Sequence, residues 1–166
     1  MIDQESLKSA LHYDPDTGFF VWLISPAQCV RVGTQAGTTD AGTGYHRVMI
    51  RRKKYQAHRL AWLYMTGEWP TDEVDHINGV RTDNRWANLR SATKAENQQN
   101  AALRKDSSSA LTGAQFHNNK WQATIRVNGT PMYLGVFADK LDARKAYLDA
   151  KARFHTFNPV PRASLD

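Results

Sequence analysis

The spacing of apolar and polar positions predicts a succession of short elements. The turn formers of YDPDTG precede an aromatic and β-branched run, which predicts a strand around Phe19 to Leu23. Four glycines and four threonines crowd Gly33 to Gly44, a composition of turns and loop. YHRVMI, RRKK and YQAH then predict a hairpin with Tyr45 to Ile50 as its first strand. Across His58 to Thr66, Leu60, Leu63 and Tyr64 share one helical face and Gly67 supplies a stop, while Trp62 and Trp69 read as core. Glu73 to Asn100 reads as strand, turn-rich loop, strand and helix. Asn78-Gly79 marks its turn, and Ser91 or Thr93 is placed to cap a helix running toward Arg104.

Beyond a polar joint at Arg104 to Ser109 the pattern changes. Trp121, Ala123, Ile125 and Val127 alternate with Gln122, Thr124 and Arg126, the period-two signature of a strand with one buried face. Asn128-Gly129 is a hairpin signal and MYLGVF the return strand. Asp139 caps a helix in which Ala143, Ala146, Tyr147, Ala150 and Phe154 fall at helical spacing over the sheet. The expected organisation is therefore a domain at 1–104 with a β-rich N-terminal segment, a linker at 105–109 and a second domain at 110–160. The fold class is α+β.

Composition narrows the function. The 166 residues and 18.8 kDa suit one compact domain or two small ones, with 41% apolar residues for a core. No apolar run is long enough for a membrane span and Met1 to Ala10 lacks a secretory pattern, so the chain reads as intracellular. Cys29 is the single cysteine, which excludes an internal disulfide and a thiolate zinc cluster; a metal here is held by oxygen and nitrogen. Net charge is +6, with seven basic and five acidic residues in 1–57, seven of each in 58–106, and eight against four in 107–166. The positive excess at the flanks points to a polyanionic partner.

The chemistry-bearing groups concentrate in EVDHINGVRTDNRWANLRSATKAENQQN. A strand sends Asp75 and His76 to opposite sides, and a bend after His76 would bring both to one rim. A carboxylate from the strand and an amide from the helix suit one hard divalent cation, Mg²⁺ or Mn²⁺, which makes Asp75 and Asn97 the natural metal pair. Glu96 and Asn100 lie close by on the same helix. His76, beside the metal but not bound to it, is the candidate general base. Asn88 would hydrogen-bond across the turn and hold the imidazole or the hairpin in place. Two positions keep two readings each. His58 either faces substrate phosphate or packs beside the core, and Arg51 to Lys54 either binds phosphate or forms a solvated hairpin tip.

This ordered set, with HRLAW upstream, VDHINGVRTDNRWANLR in the middle and an asparagine on the following helix, resembles the HNH nuclease motif, the ββα-metal finger of homing endonucleases and related phage enzymes, over roughly residues 45–104. The resemblance implies Asp75 and Asn97 as ligands of one divalent metal, His76 as the base that activates water and Asn88 as the orienting residue. GAQF, KWQATIRV, YLGVF and the AxxAY helix are similar to the plant ethylene-response-factor (Apetala-two) DNA-binding domain, whose sheet enters the major groove. The face bearing Gln115, Lys120, Gln122, Thr124, Arg126 and Tyr133 offers donors for phosphates and base edges. The resemblance makes Arg126 and Tyr133 the leading contacts, with Gln115, Lys120 and Thr124 next. The expectation is a phage-type HNH endonuclease acting on double-stranded DNA, monomeric, nicking one strand and leaving 5′-phosphate and 3′-hydroxyl ends. The alternatives are a non-catalytic DNA-binding regulator with a vestigial nuclease segment and, more remotely, an RNA-processing nuclease.

Overall fold

The computed structural model describes residues 1–100, 113–127 and 129–155, which divide into a unit formed by Met1–Thr93 and a second that begins at Lys94. The linker read at 105–109 and the flanks 110–112 and 156–160 lie outside these residues. Among the described residues no helix is long and apolar enough to cross a membrane.

The first unit opens with a helix, α1 (Gln4–Ala10), capped by the Asp3 carboxylate, which accepts the Ser6 N–H at 2.8 Å. The apolar pattern predicts only β structure in this segment. Just Leu7 and Ala10 of α1 are buried, too narrow a stripe to register as helical period. β1 (Leu11–Tyr13) follows at once and pairs antiparallel with β2 (Phe20–Trp22). Phe20 and Trp22 are buried, whereas Phe19 and Leu23, the ends of the predicted strand, are exposed. The turn between them is organised by Asp14, whose carboxylate accepts the N–H groups of Asp16 and Thr17 and the Thr17 hydroxyl.

β3 (Thr38–Thr39), β4 (His46–Ile50) and β5 (Lys53–Gln56) form an antiparallel sheet in that order, so the glycine- and threonine-rich stretch contributes one short edge strand. Arg51 and Arg52 make the two-residue β4–β5 turn with φ of 49° and 64°, the backbone of a type I′ turn. β5 passes without a loop into α2 (Ala57–Thr66), which ends at Gly67 in left-handed conformation, its N–H reaching the Leu63 carbonyl at 3.0 Å. Leu60 and Leu63 enter a core with Leu7, Leu11, Tyr13, Phe20 and Val48, and Trp62, Tyr64 and Trp69 pack against it.

β6 (Glu73–His76) pairs antiparallel with β7 (Leu89–Ala92), and a single 3-10 turn, Trp86–Asn88, leads into β7. Ser91 lies within β7 and therefore caps nothing; Thr93 directly precedes α3 (Lys94–Asn100), which groups with the second unit. The order strand, loop, strand, helix is the expected one.

In the second unit β8 (Ala114–His117), β9 (Lys120–Val127) and β10 (Thr130–Phe137) form a three-stranded antiparallel sheet with β9 central. α4 (Lys140–Phe154) starts at Asp139, whose carboxylate accepts the Leu141 N–H at 2.6 Å. Ala143, Tyr147 and Ala150 of α4 meet Ala114, Ala123 and Ile125, while Phe154, at the frayed end of the stripe, is exposed.

Gly18 has φ +76°, and a methyl group there would overlap the backbone of Asn84 and Arg85; Gly33 has φ +82° with nothing near. Gly33→Ala should lose roughly 1 kcal/mol from left-handed strain, and Gly18→Ala at least about twice that, since packed backbone must also move. Urea unfolding of both variants checks this, and equal losses would refute the close approach.

Candidate active site

Asp75 and His76 are neighbours at the end of β6, and strand geometry sends them to different surroundings. Asp75 stands directly opposite Arg90 in the ladder, and its Oδ2 accepts from Arg90 Nε at 3.0 Å and Nη2 at 2.8 Å. His76 meets instead Tyr45, His58 and Asn84, with its ring centroid 5.0 Å from that of His58 and 6.0 Å from that of Tyr45. The turn after His76, closed by the Gly79 N–H on the His76 carbonyl, begins beyond both side chains, so the two keep separate neighbours on the strand.

His76 is 4% exposed, and burial draws its imidazole below the ordinary histidine range, opposed by the Asn84 hydrogen bond and by Asp75. The surroundings are polar and aromatic, and Asn84 Oδ1 lies 3.1 Å from His76 Nε2. His58 answers its two readings by packing: it is buried on the inner face of α2, its Nδ1 has no hydrogen-bond partner, and burial pushes its pKa down to about 3, helped by His76 and Arg59. Both rings are thus held neutral at neutral pH. Tyr45 is covered by the Arg81 guanidinium, 5.1 Å from its ring, and Arg81 Nη1 donates to the Thr43 carbonyl at 2.7 Å.

Asn88 takes the hairpin rather than the imidazole. Its Oδ1 accepts the Asn78 N–H at 3.0 Å, and its Nδ2 donates to Asn78 Oδ1 at 3.0 Å and to the Asp83 carbonyl at 2.8 Å. Asn78 Nδ2 in turn donates to Asp83 Oδ2, and the hydrogen bonds from Arg85 hold the Asp83 carboxyl below the usual range. The residue that touches the His76 ring nitrogen is Asn84, which sequence reasoning did not single out. Its signal was present in the polar TDNR, yet choosing between two asparagines four residues apart requires the loop path. Arg90 was missed likewise, because its place opposite Asp75 depends on register.

Taken one unit at a time, Asp75 offers an anionic oxygen in the first and Asn97, half-buried on α3, an amide oxygen in the second, both of the hard oxygen type that a divalent cation takes. The Arg90 guanidinium neutralises Asp75 through one oxygen. A zinc cluster of three or four His, Cys, Asp or Glu ligands does not occur among the described residues. In the second unit, Lys120, Thr124 and Arg126 alternate on β9. Gln115 pairs with Gln122 and Tyr133 with Thr124, so all five candidate contacts share the sheet face away from α4. Gln115, Lys120, Arg126 and Tyr133 are exposed on it and Thr124 is half-buried.

Because the unfolded chain takes up a proton at each histidine near pH 6.5 and folded His58 resists one down to about pH 3, acid favours unfolding. Stability is full above pH 6.5 and falls as pH drops toward 3. His58→Phe should flatten this fall, with the His76 part remaining; urea midpoints at pH 7 and pH 5 measure it. An unchanged slope in the variant would contradict the buried neutral ring.

Residues 55–99 match the family model described as HNH endonuclease. A solved structure described as "DNA binding and cleavage by the HNH homing endonuclease I-HmuI" is similar at 22% identity and a TM-score of 0.46, over 80% of this chain and 75% of that one. No curated protein matches. The matched segment runs from β5 through α3 and contains Asp75, His76, Asn88 and Asn97, so the similarity to HNH endonucleases falls on the stretch that holds these four residues.

Proposed function

We propose that this protein is a divalent-metal-dependent endonuclease that hydrolyses a phosphodiester bond of double-stranded DNA, nicking one strand and leaving 5′-phosphate and 3′-hydroxyl ends. The observation that carries this reading is the anchored imidazole of His76 inside the matched HNH segment, beside a carboxylate in the same strand. A ring kept neutral by burial is in the form that accepts a proton from a water aimed at phosphorus. Asn88, with three hydrogen bonds into the loop that carries Asn84, keeps that loop in one conformation while the proton moves. Asp75 and Asn97 would hold Mg²⁺ or Mn²⁺, which supplies Lewis-acid stabilisation of charge on the phosphate oxygens. Arg90, already on Asp75, restrains the carboxylate orientation.

Charge supports DNA as the substrate. Arg51 and Arg52 fill both positive-φ positions of the β4–β5 turn, where glycine or asparagine is less strained, and so display two exposed guanidinium groups at the hairpin tip. The polar sheet face of the second unit presents Gln115, Lys120, Thr124, Arg126 and Tyr133 for groove and phosphate contacts, with Arg126 and Tyr133 leading.

Supercoiled plasmid incubated with the wild-type protein and Mg²⁺ should yield nicked circles. EDTA or His76→Ala should abolish them, and Asp75→Ala or Asn97→Ala should raise the Mg²⁺ concentration required. A non-catalytic regulator gives no metal-dependent nick with any of these proteins. Arg126→Ala should weaken duplex binding roughly tenfold in a gel-shift titration; unchanged affinity would remove the sheet face from the reading.

A further inference from the structure

We propose that Asn84, clamped by the N-terminal turn through Tyr13, is a positioning residue that fixes both the tautomer and the orientation of His76, making Nδ1 the nitrogen that accepts the proton. The inference rests on the reading of His76 as general base and adds to it which atom acts and what holds the ring.

Asn84 is 3% exposed, and its amide has one sensible orientation. Nδ2 donates to the Thr82 carbonyl at 3.2 Å, so the atom 3.1 Å from His76 Nε2 is the oxygen. Turning the amide over would set its oxygen against a carbonyl and lose that bond. An oxygen accepts only, hence Nε2 carries the hydrogen, and a neutral ring with Nε2–H has its lone pair on Nδ1.

Asn84 is in turn held from a distance of 71 residues. The Tyr13 hydroxyl, on a side chain 1% exposed, donates to the Asn84 carbonyl at 2.7 Å. Two residues further on, the Trp86 N–H reaches the Pro15 carbonyl at 2.9 Å. Gly18 leaves no room for a side chain against the Asn84–Arg85 backbone. Three contacts from residues 13–18 thus converge on 84–86, whereas Asn88 secures the opposite part of the loop through Asn78 and Asp83. The burial of Tyr13 raises the pKa of its hydroxyl, so that group stays a donor.

The test uses the full chain. Long-range ¹H–¹⁵N correlation of the imidazoles, assigned with His76→Ala, should show wild-type His76 as the Nε2–H tautomer. In Asn84→Ala that tautomer should give way to a mixture. Nicking of supercoiled plasmid with Mg²⁺ should lose about ten- to a hundredfold in kcat, with KM changed less than about twofold. Asn84→Asp keeps an acceptor and should keep the tautomer and recover most of the rate. Tyr13→Phe should lower kcat severalfold with KM unchanged. A wild-type Nδ1–H tautomer overturns the proposal even if every variant unfolds, and so does Asn84→Ala with kcat within twofold of wild type. Should His76→Ala itself nick normally, the reading of His76 as base fails while the measured tautomer stands apart from it.

Discussion

A ribbon of two four-residue strands holds little intrinsic stability, and β6–β7 is such a ribbon. Its connection, from Ile77 to Arg85, has no regular structure that would define a path. Two sets of contacts define it: the three hydrogen bonds of Asn88 tie Asn78 to Asp83, and the Tyr13 hydroxyl and Pro15 carbonyl hold Asn84 and Trp86. With those ends joined, Asn84 has a fixed place, and the register that sets Asp75 against Arg90 and His76 against Leu89 is maintained.

Packing and electrostatics work in the same direction around the site. His58, His76 and Tyr45 form a small aromatic layer between α2 and the ribbon, and such a layer accepts imidazoles only without charge. On the other side of the strand a carboxylate and a guanidinium compensate each other with only 7% and 23% of their side chains accessible. A neutral ring and a paired carboxylate, one residue apart, are therefore the outcome of two opposite local environments created by a strand's alternation.

Much of this was legible in the sequence, and the reason differs by element. α2, the β4–β5 hairpin and the second unit's sheet and helix follow from periodicity and turn chemistry that act over neighbouring residues. The segment holding Asp75, His76, Asn88 and Asn97 was legible as a motif, because residue types and spacing carry it. α1 was not, since two buried residues and an Asp3 cap leave too faint a period. Nor were Asn84, Arg90 and Tyr13, whose partners lie 8, 15 and 71 residues away and are chosen by register and loop path. Ser91 failed as a cap because strand pairing with Val74 claims its backbone.

The direct passage of β5 into α2 carries a further consequence. With no loop between Gln56 and Ala57, and no side-chain cap to rearrange, hairpin and helix lack a hinge. The arginine tip and the His58 ring are then opposite ends of one stiff lever. A displacement of the tip is therefore passed toward the aromatic layer around His58 with no hinge in between.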